Sequence, residues 1–244
     1  TGTINGQTSS IRRVYRGEYA PAFTGLAVLT DNNMVLHTPL TVRSESADIN
    51  ASIQTNNNLQ ILGGPIAVQG FGLYSGGISL NTGVPAEQMF MPPANSAGGA
   101  VTQQVPPIVI PPIVPSALAS FATRRTDGDL RLAGTVELGT IDNPTIWYVS
   151  GSLDTGADVT LNGYGIFLVD GEVRFTHNVR TPLVDESNAA FYSGGHIKVM
   201  NGSLDIAGQL FANGSVELKE NTTLTGNIVA RNVLNTLGSV NITY

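Results

Sequence analysis

Arginine is the side chain in this sequence best suited to gripping a partner. Of the twelve cationic residues, all but Lys198 and Lys219 are arginine. They cluster as Arg12, Arg13 and Arg16, then Arg124, Arg125 and Arg131, then Arg174 and Arg180. A guanidinium fork binds phosphate bidentately, so a strip of arginines can hold DNA even on an acidic protein. Arg124, Arg125, Arg131, Arg174 and Arg180 are the candidate DNA- or ligand-binding residues. The competing use is local, in ion pairs with nearby carboxylates or as caps on carbonyls. Tyr15, Tyr19, Phe71 and Tyr74 are rings that could stack on bases or sugars, or simply pack.

Glycoside cleavage requires two positioned carboxyl groups. The i, i+2 acidic pairs are Asp127 with Asp129 and Asp170 with Glu172. Such neighbours point the same way in a strand, which keeps a polysaccharide-acting β-helix enzyme open, with Asp127 and Asp170 as the residues to test. Each pair flanks a glycine, Gly128 or Gly171, and a solvent-facing corner is the expected setting. His37, His177 and His196 lie far apart without ligand-like spacing and are expected to be surface residues. Cysteine is absent, so thiolate chemistry and disulfides are excluded. Neither the calcium-binding nonapeptide of β-rolls nor a GxSxG nucleophile motif occurs. No cofactor and no metal is expected. Asn201, Asn213 and Asn221 open glycosylation sequons but are expected to serve as turn corners.

The bulk numbers fit a binding surface better than a catalytic pocket. In 244 residues, 41% are hydrophobic but only 7% aromatic and 12% charged, and there are 28 glycines. So little charge means that polar residues must sit in ordered turns or ladders. The net charge of −6 argues against a general nucleic-acid or anionic-membrane binder. The sequence starts at Thr1 and contains no run of 18 apolar residues, and a signal or anchor upstream is left open.

These side chains must be positioned by a repeat. From residue 202 to 242 the register is six. Gly202, Gly208, Gly214, Gly226 and Gly238 share one phase. Leu204, Leu210, Val216, Ile228, Leu234 and Val240 follow two residues later, then Ile206, Ala212, Leu218, Leu224, Ala230 and Ile242. A period of six suits neither a helical face nor a long alternating strand. It describes a short strand with two inward residues, then a corner with glycine at the bend. Stacked rungs bury the aliphatic pairs as a continuous column. The fold class is therefore all-β, a parallel β-solenoid with short hexad-like rungs.

The phrase recurs upstream at Gly128-Asp129-Leu130, Gly134-Thr135-Val136, Gly151-Ser152-Leu153 and Gly195-His196-Ile197, and inward pairs such as Leu59/Ile61 and Ile66/Val68 extend it toward the start. Residues 92–115 hold Pro92, Pro93, Pro106, Pro107, Pro111, Pro112 and Pro115. Proline has no ladder donor, so this stretch is no central strand. Its aliphatic residues imply an extended segment packed along the solenoid wall, with a short helix over Ser116 to Thr123. The expected organisation is 1–40 as an N-terminal pilin-like or capping β segment and 41–91 as a first solenoid part. Residues 92–127 then form a proline-rich crossing segment with the short helix, and 128–244 a second solenoid part.

The phrases VPPIVIPPIVPSALASF (105–121), GDLRLAGTVEL (128–138), TIWYVSGSLD (145–154) and LNGYGIFLVDGEVRF (161–175) resemble PilX-type and ComZ-like minor pilins of bacterial type IV pili that carry a β-solenoid. The opening, with Pro21-Ala22-Phe23, looks like the start of the same family. The resemblance implies an extracellular, pilus-associated head whose membrane contact is an N-terminal helix absent from this chain. Its implied partners are other pilin subunits, a surface glycan or extracellular DNA, and its implied roles are adhesion, pilus assembly or DNA uptake. The expected function is a non-enzymatic structural and binding module; DNA capture and polysaccharide cleavage are the alternatives.

Overall fold

Each hexad makes one side of a three-sided coil. The strands Val216–Leu218 and Leu234–Thr236 bury their first and third side chains and leave the second less covered. Ladder partners are 18 residues apart, with Leu204 on Thr222, Leu210 on Ile228 and Val216 on Leu234, so three hexads complete a rung. This is a computed structural model describing residues 25–46, 49–93, 100–182 and 187–244. Its named strands join in parallel ladders into a β-solenoid, as the hexad register implies. Thr222 and Thr236, which interrupt the aliphatic phases, still point inward and are buried.

The rungs do not stack in chain order. The last rung lies on the first described one: Ile228 on Val28, Leu234 on Met34 and Val240 on Leu40. On its other side that rung carries Ile53, Leu59 and Ile66. Leu26–Arg43 is therefore an interior rung. The chain builds outward from it through Gly72–Tyr74, Ile78–Leu80 and Thr102–Gln104. It then crosses to the opposite end, restarts at Arg124–Thr126 and Leu130–Glu137, and winds back to its own beginning.

Two cores result. Inside the coil, one column runs Trp147, Phe167, Phe191, Leu210, Ile228, Val28, Ile53. Its rings stack at 5.8 Å (Trp147 to Phe167) and 4.8 Å (Phe167 to Phe191). Outside the coil, one wall is apolar on its outer face as well, through Leu168, Tyr192, Phe211, Val229 and Leu29. Ile108, Ile110 and Ile113 of the crossing segment cover that face. A wall buried on both sides reads as unbroken apolar runs such as Ile166-Phe167-Leu168-Val169, whereas the other two walls alternate.

The proline-rich strap is held by side chains, because its prolines cannot join a ladder. Asn56 faces the Ile108 peptide, accepting from its N–H at 2.8 Å and donating to its carbonyl at 2.5 Å. Asn213 treats Ile113 in the same way, at 3.0 and 2.5 Å. Between them the Arg231 Nε donates to the Ile110 carbonyl at 3.0 Å. The helix expected over Ser116 to Thr123 is a 3-10 turn, Pro115–Phe121, and a further short helix occupies Ala86–Met89.

At one corner Gly208 and Gly226 stack in register with φ of +151° and +145°. A Cβ on Gly226 would overlap the Gly208 carbonyl oxygen. Glycine is needed here both for the backbone angle and for the close approach of rungs. Gly226→Ala should lower stability by about 2 kcal/mol or more in equilibrium denaturation. Asn213→Ala should leave the coil's circular dichroism intact and speed proteolytic cleavage within residues 105–114.

Candidate functional site

The solenoid distributes the candidate arginines over three walls. Arg124 sits inward at the terminal rung, its guanidinium carbon 5.2 Å from the centre of the Trp147 ring. It closes the aromatic column by a cation–π contact. Arg125 faces outward on the same wall, and its Nη2 donates to the Ala119 carbonyl at 2.6 Å. Arg131 and Arg174 project from the second wall in one column, with Asp154 between them. Arg174 pairs with Asp154 at 3.3 Å. The same column continues through Lys198 and Glu217, and Lys198 also meets Glu172 at 3.3 Å. Arg180 lies on the third wall and reaches Thr160 Oγ1 at 3.3 Å. Only Arg131 and Arg174 are brought together, in a strip of alternating sign. Arg12, Arg13, Arg16, Tyr15 and Tyr19 lie outside the described residues.

The carboxylate pairs are occupied by the scaffold. Asp129 accepts from the Ser152 N–H at 2.8 Å, and Asp170 accepts the Tyr148 hydroxyl proton at 2.6 Å. His196 Nδ1 accepts from the Ser215 N–H at 2.9 Å, and His177 Nδ1 lies 2.8 Å from the Thr155 carbonyl oxygen. Among the described residues no group of three His, Asp or Glu could hold a metal.

The feature that reading by residue type missed is a neutral array on the third wall. Val240–Thr243 lies between Thr222–Ala230 and Leu40–Arg43. The outward positions form two columns, Thr223, Asn241, Thr41, Ala67 and Thr225, Thr243. Their inward neighbours Leu224, Val240, Ile242, Leu40 and Val42 are buried and fix the backbone beneath. Strand geometry sets the grid at about 4.8 Å between rungs and about 6.8 Å along a strand. Among the described residues, the side chains of Thr41, Thr223, Thr225, Asn241 and Thr243 make no hydrogen bond within the protein, so they are left to water. Asp205 and Arg43 bound the patch. The signal for it was present as Thr-Thr-Leu-Thr and Asn-Ile-Thr, 18 residues apart in the six-residue register, but the Leu40 rung that completes it comes from the far end of the sequence.

A fold of this kind is known. An ice-binding protein from the Antarctic ascomycete Antarctomyces psychrotrophicus superposes with a TM-score of 0.53 over 91% of this chain and 95% of its own, at 13% identity. A glycosylated ice-binding protein from an Arctic yeast matches with a TM-score of 0.47 over 89% of this chain and 90% of its own, at 17% identity. At such identity the first likeness is one of fold, the parallel β-solenoid. No family model matches the chain, and no curated protein matches it in sequence.

These findings correct the resemblance to PilX-type and ComZ-like minor pilins. No pilin model fits, and the comparable fold is that of an ice-binding protein. The phrases that carried the resemblance are what the architecture itself demands. Residues 105–121 are the strap and its 3-10 turn, and 128–138, 145–154 and 161–175 are rungs. The opening with Pro21-Ala22-Phe23 lies outside the described residues.

Tyr148 gives the outer face of the strap-covered wall a pH signature. Its hydrogen bond to Asp170, partial burial and the Asp170 charge, in that order, hold its phenol above the ordinary tyrosine value of 10.0. The folded state thus prefers the neutral phenol. That stabilisation is present below the unfolded value near 10 and is lost as pH rises through the raised folded one. Asp170→Asn should move one tyrosine ionisation to lower pH in an ultraviolet titration.

Proposed function

We propose that this protein is a non-enzymatic, extracellular binding module whose third wall adsorbs to ice. The observation that carries this reading is the uncharged array of Thr41, Thr223, Thr225, Asn241 and Thr243 on a parallel ladder in register. Ice offers a repeating lattice of water rather than a shaped ligand. A protein matches it best with side chains that recur at fixed intervals and impose no strong hydration of their own. Threonine supplies a hydroxyl to join the water network and a methyl to order the water beside it. Charged residues would orient water around themselves. Few are present, at 12% of the chain, and ion-paired charges concentrate on the second wall away from this patch.

The fold shared with the fungal ice-binding protein supports the same reading. Nucleic-acid capture draws less support, because the candidate arginines face three directions and Arg174 is paired. Polysaccharide cleavage draws less too, since Asp129 and Asp170 serve as backbone and tyrosine acceptors.

Thr223→Tyr and Thr41→Tyr each place a ring above the plane. Both should reduce inhibition of ice recrystallisation by about tenfold or more, while Gln60→Tyr on the second wall leaves it unchanged. A wild-type protein without effect on ice growth ends the proposal. Full activity in both threonine variants moves the site to another wall.

A further inference from the structure

The strand Leu130–Glu137 ends the stack. It pairs with Leu153–Asn162 on one side, and among the described residues no strand pairs with its other side. The Leu130 and Leu138 N–H groups donate into the stack, to Ser152 and Asn162, at 2.8 and 2.7 Å. In a parallel ladder alternate residues direct both backbone groups to the same neighbour. Arg131, Ala133, Thr135 and Glu137 therefore turn theirs to the open edge, and all four are exposed. The core beneath is also unfinished. Leu130, Val136 and Trp147 are partly exposed, whereas their partners one rung inside, Leu153, Leu161 and Phe167, are fully buried.

An open edge of this length invites another strand unless proline, lysine or a cover blocks it. Among the described residues no proline, lysine or cover lies on it, its ladder shifts register between Leu132 and Gly134, and residues 130–138 read alike from both ends: aliphatic, charged, aliphatic, small, glycine, small, aliphatic, charged, aliphatic. The two charges are opposite. We propose that two copies of this chain join end to end by antiparallel pairing of this strand with itself, about a two-fold axis at Gly134.

The register follows from the chemistry. Centred on Gly134, Arg131 opposes Glu137 of the second copy and Ala133 opposes its Thr135. These are the residues with free backbone groups, so each outward N–H meets an outward carbonyl. Leu130 then faces Leu138 of the second copy and Leu132 faces its Val136, which closes the core of both. A slip of one residue sets free amides against bonded ones and turns the aliphatic side chains outward. A slip of two leaves the charges unpaired.

Neither charge is satisfied internally by an opposite charge. Among the described residues Arg131 forms no ion pair, and Glu137 accepts from Asn162 Nδ2 at 2.9 Å. Gly134 has φ of +69°, and nothing lies within 4 Å of where its Cβ would be, so a second backbone can approach. At the other end of the stack Met89 and Phe90 are buried, with Phe90 bridged to Val68, while Ile78 and Leu80 on the second wall stay partly exposed. Association at one end through a self-complementary strand gives a closed dimer rather than a fibre. This inference does not depend on the ice reading.

Sedimentation over a concentration series tests it. The wild-type chain should show a monomer–dimer equilibrium. Arg131→Glu sets glutamate against glutamate, and Glu137→Arg sets arginine against arginine. Each should weaken dimerisation by about tenfold or more, with the denaturation midpoint retained as the check on folding. The double variant should restore the dimer, and an equimolar mixture of the two single variants should form a mixed dimer. A wild-type monomer at every concentration overturns the proposal. So does a dimer that the single reversals leave untouched or that the double variant fails to recover.

Discussion

The ladder that lays the final rung on the first described one holds the rest of the molecule in place. Val240–Thr243 bonds to Leu40–Arg43 and Leu234–Thr236 to Met34–Leu36, across about two hundred residues of chain. Without that seam there would be two half-coils, each with an open end and a bare core, joined by the strap. With it, the inward columns run unbroken from Trp147 through Phe191, Ile228 and Val28 to Ile53. Such pairing closes a very long loop, and loop-closure entropy must be met by burial spread over all three walls of the junction. The threonine array sits on this seam, so the surface proposed to bind is completed only when the coil closes.

The strap follows from the same connectivity. A chain that starts in the middle of its own stack must travel from one end to the other, and residues 105–123 make that journey. Prolines keep the segment extended and out of the ladders, while Asn56, Asn213 and Arg231 supply the hydrogen bonds that a neighbouring strand would have given. Covering one wall leaves two for the surroundings. One carries paired charges at Asp154, Arg174, Glu172 and Lys198, and the other carries the neutral grid.

The solenoid, its six-residue unit and the packed crossing segment are legible in the sequence because each rests on near neighbours. Glycine, the aliphatic pair and the corner recur within a few residues, and the cluster of prolines forbids a ladder wherever it stands. The strap's anchors were not legible. Asn213 reads as a glycosylation sequon or a turn, and only its distance to Ile113 reveals a backbone mimic. The pilin resemblance came from the same source as the correct fold, since rung and strap phrases carry architecture rather than ancestry.

Surface columns are a different matter. Stacked partners in the second wall step from Leu130 to Leu153, Val173, Ile197, Val216 and Leu234, with unequal intervals, and then to Met34. Insertions at corners change the interval without disturbing the inward pairs, so counting along the chain cannot say which outward residues become neighbours. The sequence by itself determined that aliphatic side chains would pile into rungs, because that follows from local period. Which arginines meet, which threonines share a wall and which strand is left at the edge were decided by the tertiary structure, since these contacts are made between rungs and the order of rungs in space is not their order in the chain.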